Sequence, residues 1–210
     1  MAPGSSRAKR AFDLAVAIPA AILTLPLQGV VALAVLARLG RPVLFRQRRP
    51  GLHGEPFELV KFRTMLPKPP EADGDDLADA ERMTTLGRRL RSTSLDELPT
   101  LWNVVRGDMS LVGPRPLLMQ YLPRYTPEQA RRHEVRPGIT GLAQVSGRNA
   151  LSWEEKFRLD VEYVDHHTLA GDLRILGATV RSVVVRDGIA AEGSPTAHEF
   201  RGTTQDRGQA

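Results

Sequence analysis

Residues 14–37 form an apolar run of 24 positions without a charged side chain. As one helix it would measure about 36 Å, against about 30 Å for the hydrocarbon core of a bilayer. Pro19 and Pro26 interrupt the run, each removing a backbone donor and favouring a kink. Split at Pro26, the first half would measure about 18 Å, too short to cross. Arg7, Lys9 and Arg10 precede the run and Arg38 and Arg41 follow it; basic flanks favour the cytoplasmic side, here at both ends. A helix that enters a membrane, bends at Pro26 and returns satisfies all three features. Two other readings stay open: a spanning helix with a tolerated proline, and a cleaved signal peptide. The second is disfavoured by the length of the run and by Arg38, Arg41, Arg46, Arg48 and Arg49 beyond it.

The remainder alternates short strand and helix signals. Residues 43–45 and 57–60 read as strands around the turn Arg49-Pro50-Gly51. Residues 67–81 combine prolines with Glu71, Asp73, Asp75, Asp76, Asp79 and Glu81, a solvated acidic loop. A basic stretch with Arg82, Arg88, Arg89 and Arg91 follows. A helix is expected over 95–106 with Gly107 as its stop, then a strand over 110–112 and a rigid loop, Gly113-Pro114-Arg115-Pro116. Thr126-Pro127-Glu128-Gln129 starts another helix, which ends before Arg136-Pro137-Gly138. Ser152 and Glu155 form a capping box for a helix whose Trp153, Phe157, Val161 and Val164 recur at helical spacing, as a core stripe or a membrane-surface face. A last amphipathic helix covers 170–186, and a polar, loosely ordered tail begins at Glu192. The pattern predicts a mainly helical α+β protein, with a re-entrant membrane segment (1–40), a cytosolic domain with short β elements and amphipathic interfacial helices (41–190), and a polar tail (191–210).

Composition narrows the partners. Apolar residues make up 41% but aromatics only 5%, so aliphatic side chains fill the core. A net charge of +5 suits nucleic acid, acidic headgroups or phosphorylated substrates. The absence of cysteine excludes disulfides and thiolate metal sites, and five scattered histidines are read as surface residues rather than transition-metal ligands. Neither G-x-x-x-x-G-K-[ST] nor a strand-linked G-x-G-x-x-G is present, and no nucleic-acid motif accompanies the basic charge.

The pair Asp96-Glu97 carries two readings. Ser94 with Glu97 matches a capping box, or Asp96 is itself an N-cap. Alternatively, a carboxylate at a helix start stays ionised, attacks phosphorus to form an acyl phosphate, and with its neighbour attracts Mg²⁺. Lys61, Arg91, Arg115, Arg136 and Arg148 supply cations, several on tight Pro/Gly loops that suit two phosphates. Taken singly, each could be a solvated surface residue.

The run from Ser94 to Val104, SLDELPTLWNV, resembles the core motif of the bacterial sugar transferase family. So do GDMSLVGPRP from Gly107 to Pro116, Lys61-Phe62-Arg63-Thr64-Met65, Arg136-Pro137-Gly138-Ile139-Thr140-Gly141, Gly147-Arg148-Asn149, and Lys9-Arg10-Ala11-Phe12-Asp13 at the entry to the membrane helix. The likeness covers nearly the whole chain and is closest to the minimal monotopic phosphoglycosyl transferases. It implies a re-entrant helix at the cytoplasmic face of the bacterial inner membrane, Mg²⁺ held at Asp96, and Asp96 and Glu97 as the catalytic dyad. It further implies that Asp96 attacks the β-phosphate of a UDP-sugar, UMP leaves, and undecaprenyl phosphate takes up the phosphosugar as the first membrane step of glycan assembly. One departure stands at the helix break, where the family often has Ser-Pro and this chain has Leu25-Pro26 with Thr24 one step earlier. The tail, with Glu192, Gly193, Thr196, Phe200 and Gly202, resembles members that use UDP-N,N′-diacetylbacillosamine. The competing reading is a catalytically silent, membrane-docked scaffold of a glycan-assembly complex; a nucleic-acid partner is disfavoured by the apolar segment.

Overall fold

A computed structural model describes residues 7–67, 81–147, 151–185, 200 and 202. The expected acidic loop, Arg148 and most of the tail lie outside them. The chain opens with α1 (Arg7–Leu23) and α2 (Leu25–Leu39), which meet at a bend of 57°. Among the described residues no single helix is long and apolar enough to cross a membrane, and these two pass that test only as a bent pair. The break falls at Thr24. Its hydroxyl donates to the carbonyls of Ala20 (2.7 Å) and Ala21 (3.2 Å), and Gln28 Nε2 donates to that hydroxyl at 3.0 Å. The hydroxyl missing at position 25 is therefore supplied one residue earlier, against carbonyls at the interrupted helix end.

Each arm has two faces. Lys9, Asp13, Ala17 and Ala21 recur every four residues and are buried, while Gln28, Val31 and Val35 form the inner stripe of α2. Ile22, Leu23, Leu25, Leu27, Val30 and Leu33 around the bend are exposed.

A hairpin follows: β1 (Leu44–Pro50) pairs antiparallel with β2 (Pro56–Phe62), in the register Phe45↔Lys61, Gln47↔Leu59, Arg49↔Phe57. Both strands extend beyond their expected cores, so Arg49 and Pro50 belong to a strand rather than to the turn. Next come α3 (Thr85–Ser92), a single 3₁₀ turn (Leu95–Glu97) and α4 (Thr100–Arg106), ended by Gly107 at φ +97°. Strand β3 (Ser110–Val112) pairs in parallel with β4 (Gly138–Thr140). The chain between them forms a 3₁₀ segment (Met119–Arg124), α5 (Pro127–Ala130) and a second 3₁₀ segment (Arg131–Glu134). Then follow α6 (Leu142–Ser146), α7 (Trp153–His166) and α8 (Leu169–Val185). The described protein is thus mainly helical α+β with short strands.

The capping boxes expected at Thr126/Gln129 and Ser152/Glu155 both form. The one at Ser94/Glu97 does not: Ser94 adopts φ +55° and its side chain caps nothing. The backbone turns sharply here, so the expected helix over 95–106 divides into a 3₁₀ turn and α4.

The main core gathers Ala17, Leu59, Val104, Met109, Leu111, Val112, Tyr163, Val164 and Ile175 from six elements. The α7 stripe is core, with Phe157, Val161 and Val164 buried. Phe200 is buried too, in a socket with Tyr121, Tyr125, Trp153 and Phe157. Tyr121 Oη accepts from its backbone N–H at 3.2 Å, and Arg124 Nη1 donates to its carbonyl. The expected loose tail is anchored at that point by apolar burial. His133 also departs from expectation: it is half-buried rather than a surface residue, and burial pulls its imidazole down to about 4, which keeps it neutral.

Candidate active site

Side-chain bonds between α4 and β2 set the site. Thr100 Oγ1 donates to the Val60 carbonyl at 3.0 Å, and Asn103 Nδ2 donates to the Glu58 carbonyl at 2.7 Å. Val60 N–H donates in turn to Asn103 Oδ1 at 3.2 Å. These bonds hold the start of α4 against the hairpin, so the turn carrying Asp96 and Glu97 lies beside Lys61 of β2.

The two carboxylates differ in environment. Glu97 accepts from Lys61 Nζ and lies 3.5 Å from Arg115 Nη2. Burial would push its carboxyl up, but the Lys61 and Arg115 charges outweigh it and hold it down at about 2. Burial pushes Lys61 below the usual ammonium range, against the pull of Glu97. Asp96 is only 7% exposed. Burial first, then the Glu97 charge, raise its carboxyl, opposed by Lys61, Arg91 and Arg115. This corrects the expectation that a helix N-terminus keeps Asp96 ionised: a three-residue 3₁₀ turn brings little aligned dipole. Three surrounding cations favour the charged form instead, but burial and Glu97 outweigh them.

Two supports hold those cations. Arg91, at the end of α3, donates through Nε to Thr64 Oγ1 at 3.1 Å. Arg115 sits on the loop after β3, where Gly113 and Gly138 pack backbone to backbone; a Cβ on Gly138 would lie 2.1 Å from Gly113 N. Gly138 N–H donates to the Pro114 carbonyl at 3.0 Å, and buried Arg132 donates to the Arg115 carbonyl at 2.8 Å. Arg132 is itself held by buried Asp160 at 2.7 Å.

The structure therefore brings Lys61, Arg91, Asp96, Glu97 and Arg115 together. Arg136 it places elsewhere: its Nε donates to the Gly107 carbonyl at 2.8 Å, at the end of α4 away from the dyad. Arg148 lies outside the described residues. Pro26 lies one residue into α2, directly after the break.

A cleft opens beside Glu97, lined by Lys61, Arg115, Leu59, Met109, Ile139 and Arg49. Arg49 escaped the sequence reading because β1 was ended at Phe45. Alternation carried four residues further puts Phe45, Gln47 and Arg49 on one face, the face of Lys61 by register. Arg132–Asp160 and the bonds of Thr100 and Asn103 to β2 were also missed; such long-range polar contacts leave no local periodic signal.

Among the described residues no group of three or more His, Cys, Asp or Glu could hold a metal ion. Glu97 is engaged by Lys61 and Arg115, which leaves Asp96 as the carboxylate for a cation. Mg²⁺ is satisfied by one or two carboxylates plus phosphate oxygens and water, so the residues fit a metal completed by a diphosphate.

Comparison with known proteins gives the arrangement a context. The profile of the bacterial sugar transferase family matches residues 4–186. The chain is 54% identical over 199 residues to the uncharacterized sugar transferase EpsL of Bacillus subtilis, covering 93% of this chain and 96% of that one. It is 44% identical over 191 residues to the UDP-glucose:undecaprenyl-phosphate glucose-1-phosphate transferase of Caulobacter vibrioides, covering 85% and 70%. It is 40% identical over 205 residues to the undecaprenyl-phosphate galactose phosphotransferase of Salmonella typhimurium, covering 90% of this chain and 43% of that longer one.

Proposed function

This chain belongs to the bacterial sugar transferase family, and from that we propose that it moves a sugar-1-phosphate from a UDP-sugar to undecaprenyl phosphate at the cytoplasmic face of the bacterial inner membrane. The observation that carries the reading is Asp96, a buried carboxylate beside Glu97 and under the charges of Lys61, Arg91 and Arg115. Two named relatives, a glucose-1-phosphate transferase and a galactose phosphotransferase, act on undecaprenyl phosphate. The alternative of a silent scaffold would not require these groups to converge.

An Asp96 carboxylate oxygen attacks the β-phosphorus of the donor. The bond from that phosphorus to the bridging oxygen breaks, and UMP leaves with the electron pair. The phosphosugar stays on Asp96 as an acyl phosphate until a phosphate oxygen of undecaprenyl phosphate attacks the same phosphorus and releases the carboxylate. Lys61 and Arg115 neutralise the non-bridging oxygens, Arg91 favours the ionised form of Asp96, and Glu97 holds Lys61 and Arg115 in place. Asp96 and the donor phosphates would hold Mg²⁺, which when bound supplies charge neutralisation at the departing phosphate.

The bent helix pair supports a re-entrant, monotopic attachment. The arms measure about 25 and 22 Å, so placed symmetrically at a 57° bend they reach about 12 Å deep, less than half of a bilayer core of about 30 Å. The exposed apolar residues sit at the apex, where lipid would cover them. The partners are then a UDP-sugar, undecaprenyl phosphate and membrane lipids, and the positive charge serves phosphates and headgroups rather than nucleic acid.

Purified protein in detergent, given undecaprenyl phosphate, Mg²⁺ and a panel of UDP-sugars, should release UMP from at least one donor and form a lipid-linked phosphosugar. No UMP from any donor would favour the scaffold.

A further inference from the structure

Arg49 lines the same cleft as Lys61, Glu97 and Arg115. It shares the hairpin face of Lys61, and the strand rise separates the two by roughly 13 Å at the backbone. Arg115 lies between them: it bears electrostatically on Asp96, on Lys61 and on Arg49 alike. Arg49 Nη2 donates to Gln47 Oε1 at 2.6 Å, while Nε is buried and has no hydrogen-bond partner among the described residues. Orphaned, buried guanidinium N–H groups are costly unless something completes them. Arg115 crowds Arg49 with a like charge, and the groups that bear favourably on it are the phenols of Tyr121 and Tyr125. Burial together with Arg115 lowers the Arg49 guanidinium to about 10, which leaves it charged. Glu97 is the acidic lining residue, set against Arg49, Lys61 and Arg115. Such an excess of positive charge suits an anion with more than one charge, and Arg49 offers a planar fork for it.

We propose that Arg49 is a donor-binding residue that grips the nucleotide-side phosphate, the one that leaves with UMP, while Lys61 and Arg115 hold the phosphate that Asp96 attacks. This rests on the reading above in taking a nucleoside diphosphate as donor, and it adds the direction in which the donor lies: reacting phosphate toward Asp96, leaving nucleotide toward the turn end of the hairpin. Arg49 then acts on the phosphate group and leaves the nucleoside to other contacts.

The test compares UMP with uridine, which lack and share what matters: the phosphate differs, the nucleoside is the same. Binding of each is measured by titration calorimetry on the full chain in detergent. The unaltered protein should bind UMP more tightly than uridine. Arg49→Gln should weaken UMP binding about tenfold or more, the size expected for loss of a hydrogen bond to a charged group, and leave uridine binding unchanged. Arg49→Lys, which keeps the charge but not the fork, should fall between the two and guards against a folding failure of the glutamine variant. Arg46→Gln, on the opposite face of the same strand, should change neither. Unchanged UMP binding in Arg49→Gln, or equal losses for UMP and uridine, would overturn the proposal. Donor turnover by the unaltered protein decides the parent reading separately: a UMP-specific loss without any UMP release would keep the phosphate contact and remove the transferase.

Discussion

At the scale of single residues, the site depends on two adjacent carboxylates whose pKa values are shifted in opposite directions. Glu97 is held low by Lys61 and Arg115, whereas Asp96 is raised by burial and by Glu97. The attacking species is the Asp96 carboxylate, so turnover should fall as pH drops through the Asp96 pKa, at a pH above the ordinary aspartate range. Removing a cation favours the neutral acid: Arg115→Gln should move this acid limb to higher pH and lower kcat/KM about tenfold or more. Removing the neighbouring negative charge does the reverse, so Glu97→Gln should move the limb to lower pH in whatever activity remains. Both follow from pH profiles of UMP release; a limb that stays put in both variants would separate the titrating group from Asp96. The dyad and five candidate cations were named from sequence by residue type, loop chemistry and family likeness, and the structure gathers three of the five, Lys61, Arg91 and Arg115, around it. It sends Arg136 to the end of α4 instead, and a sequence offers no means to tell an arginine that binds ligand from one that closes a helix.

At the scale of elements, the break at Thr24 decides how the two N-terminal helices are set to each other. The apolar run, its prolines and its basic flanks made the bent pair legible, because composition and backbone chemistry act locally there. The detailed break was not: Thr24 takes over the carbonyls of Ala20 and Ala21, a role that depends on side-chain direction. The re-entrant reading predicts that Arg7→Cys and Arg41→Cys, each made singly in this cysteine-free chain, react with a membrane-impermeant thiol reagent from the cytoplasmic side alone. Labelling of the two from opposite sides would mean a spanning segment. Short strands were the harder elements. The β3–β4 pairing joins residues 28 apart, and nothing in a three-residue run announces its partner.

At the scale of the whole molecule, one buried network ties the first helix to the last. Lys9 Nζ donates to Asp172 Oδ2 at 2.7 Å, Tyr163 Oη donates to Asp172 Oδ1 at 2.8 Å, and Asp13 accepts from Ser110 Oγ and from Leu111 N–H. These contacts fix α1 to α7, α8 and β3, and so set where the site stands relative to the bent helix pair. Lys9 is 7% exposed and Asp172 fully buried. Breaking the pair from either side leaves a buried charge, so Lys9→Met and Asp172→Leu should each destabilise by about 3–5 kcal/mol, and the double variant by less than their sum. Thermal unfolding in detergent reads this; additive or negligible losses would show that the network does not couple the two ends.

The central claim, that Asp96 forms a covalent bond to the phosphosugar, is open to one direct measurement. The protein is mixed with Mg²⁺ and a UDP-sugar labelled in the sugar, without any lipid acceptor, and released UMP and protein-bound label are counted together. The account predicts UMP at no more than one equivalent per active site and an equal amount of label on the protein. That label should pass to lipid when undecaprenyl phosphate is added, and neither UMP nor label should appear with Asp96→Asn, which keeps the shape of the side chain but lacks the carboxylate. UMP release that strictly requires the acceptor with no labelled protein, or substantial turnover by Asp96→Asn, would contradict it and leave direct transfer between the two substrates as the mechanism.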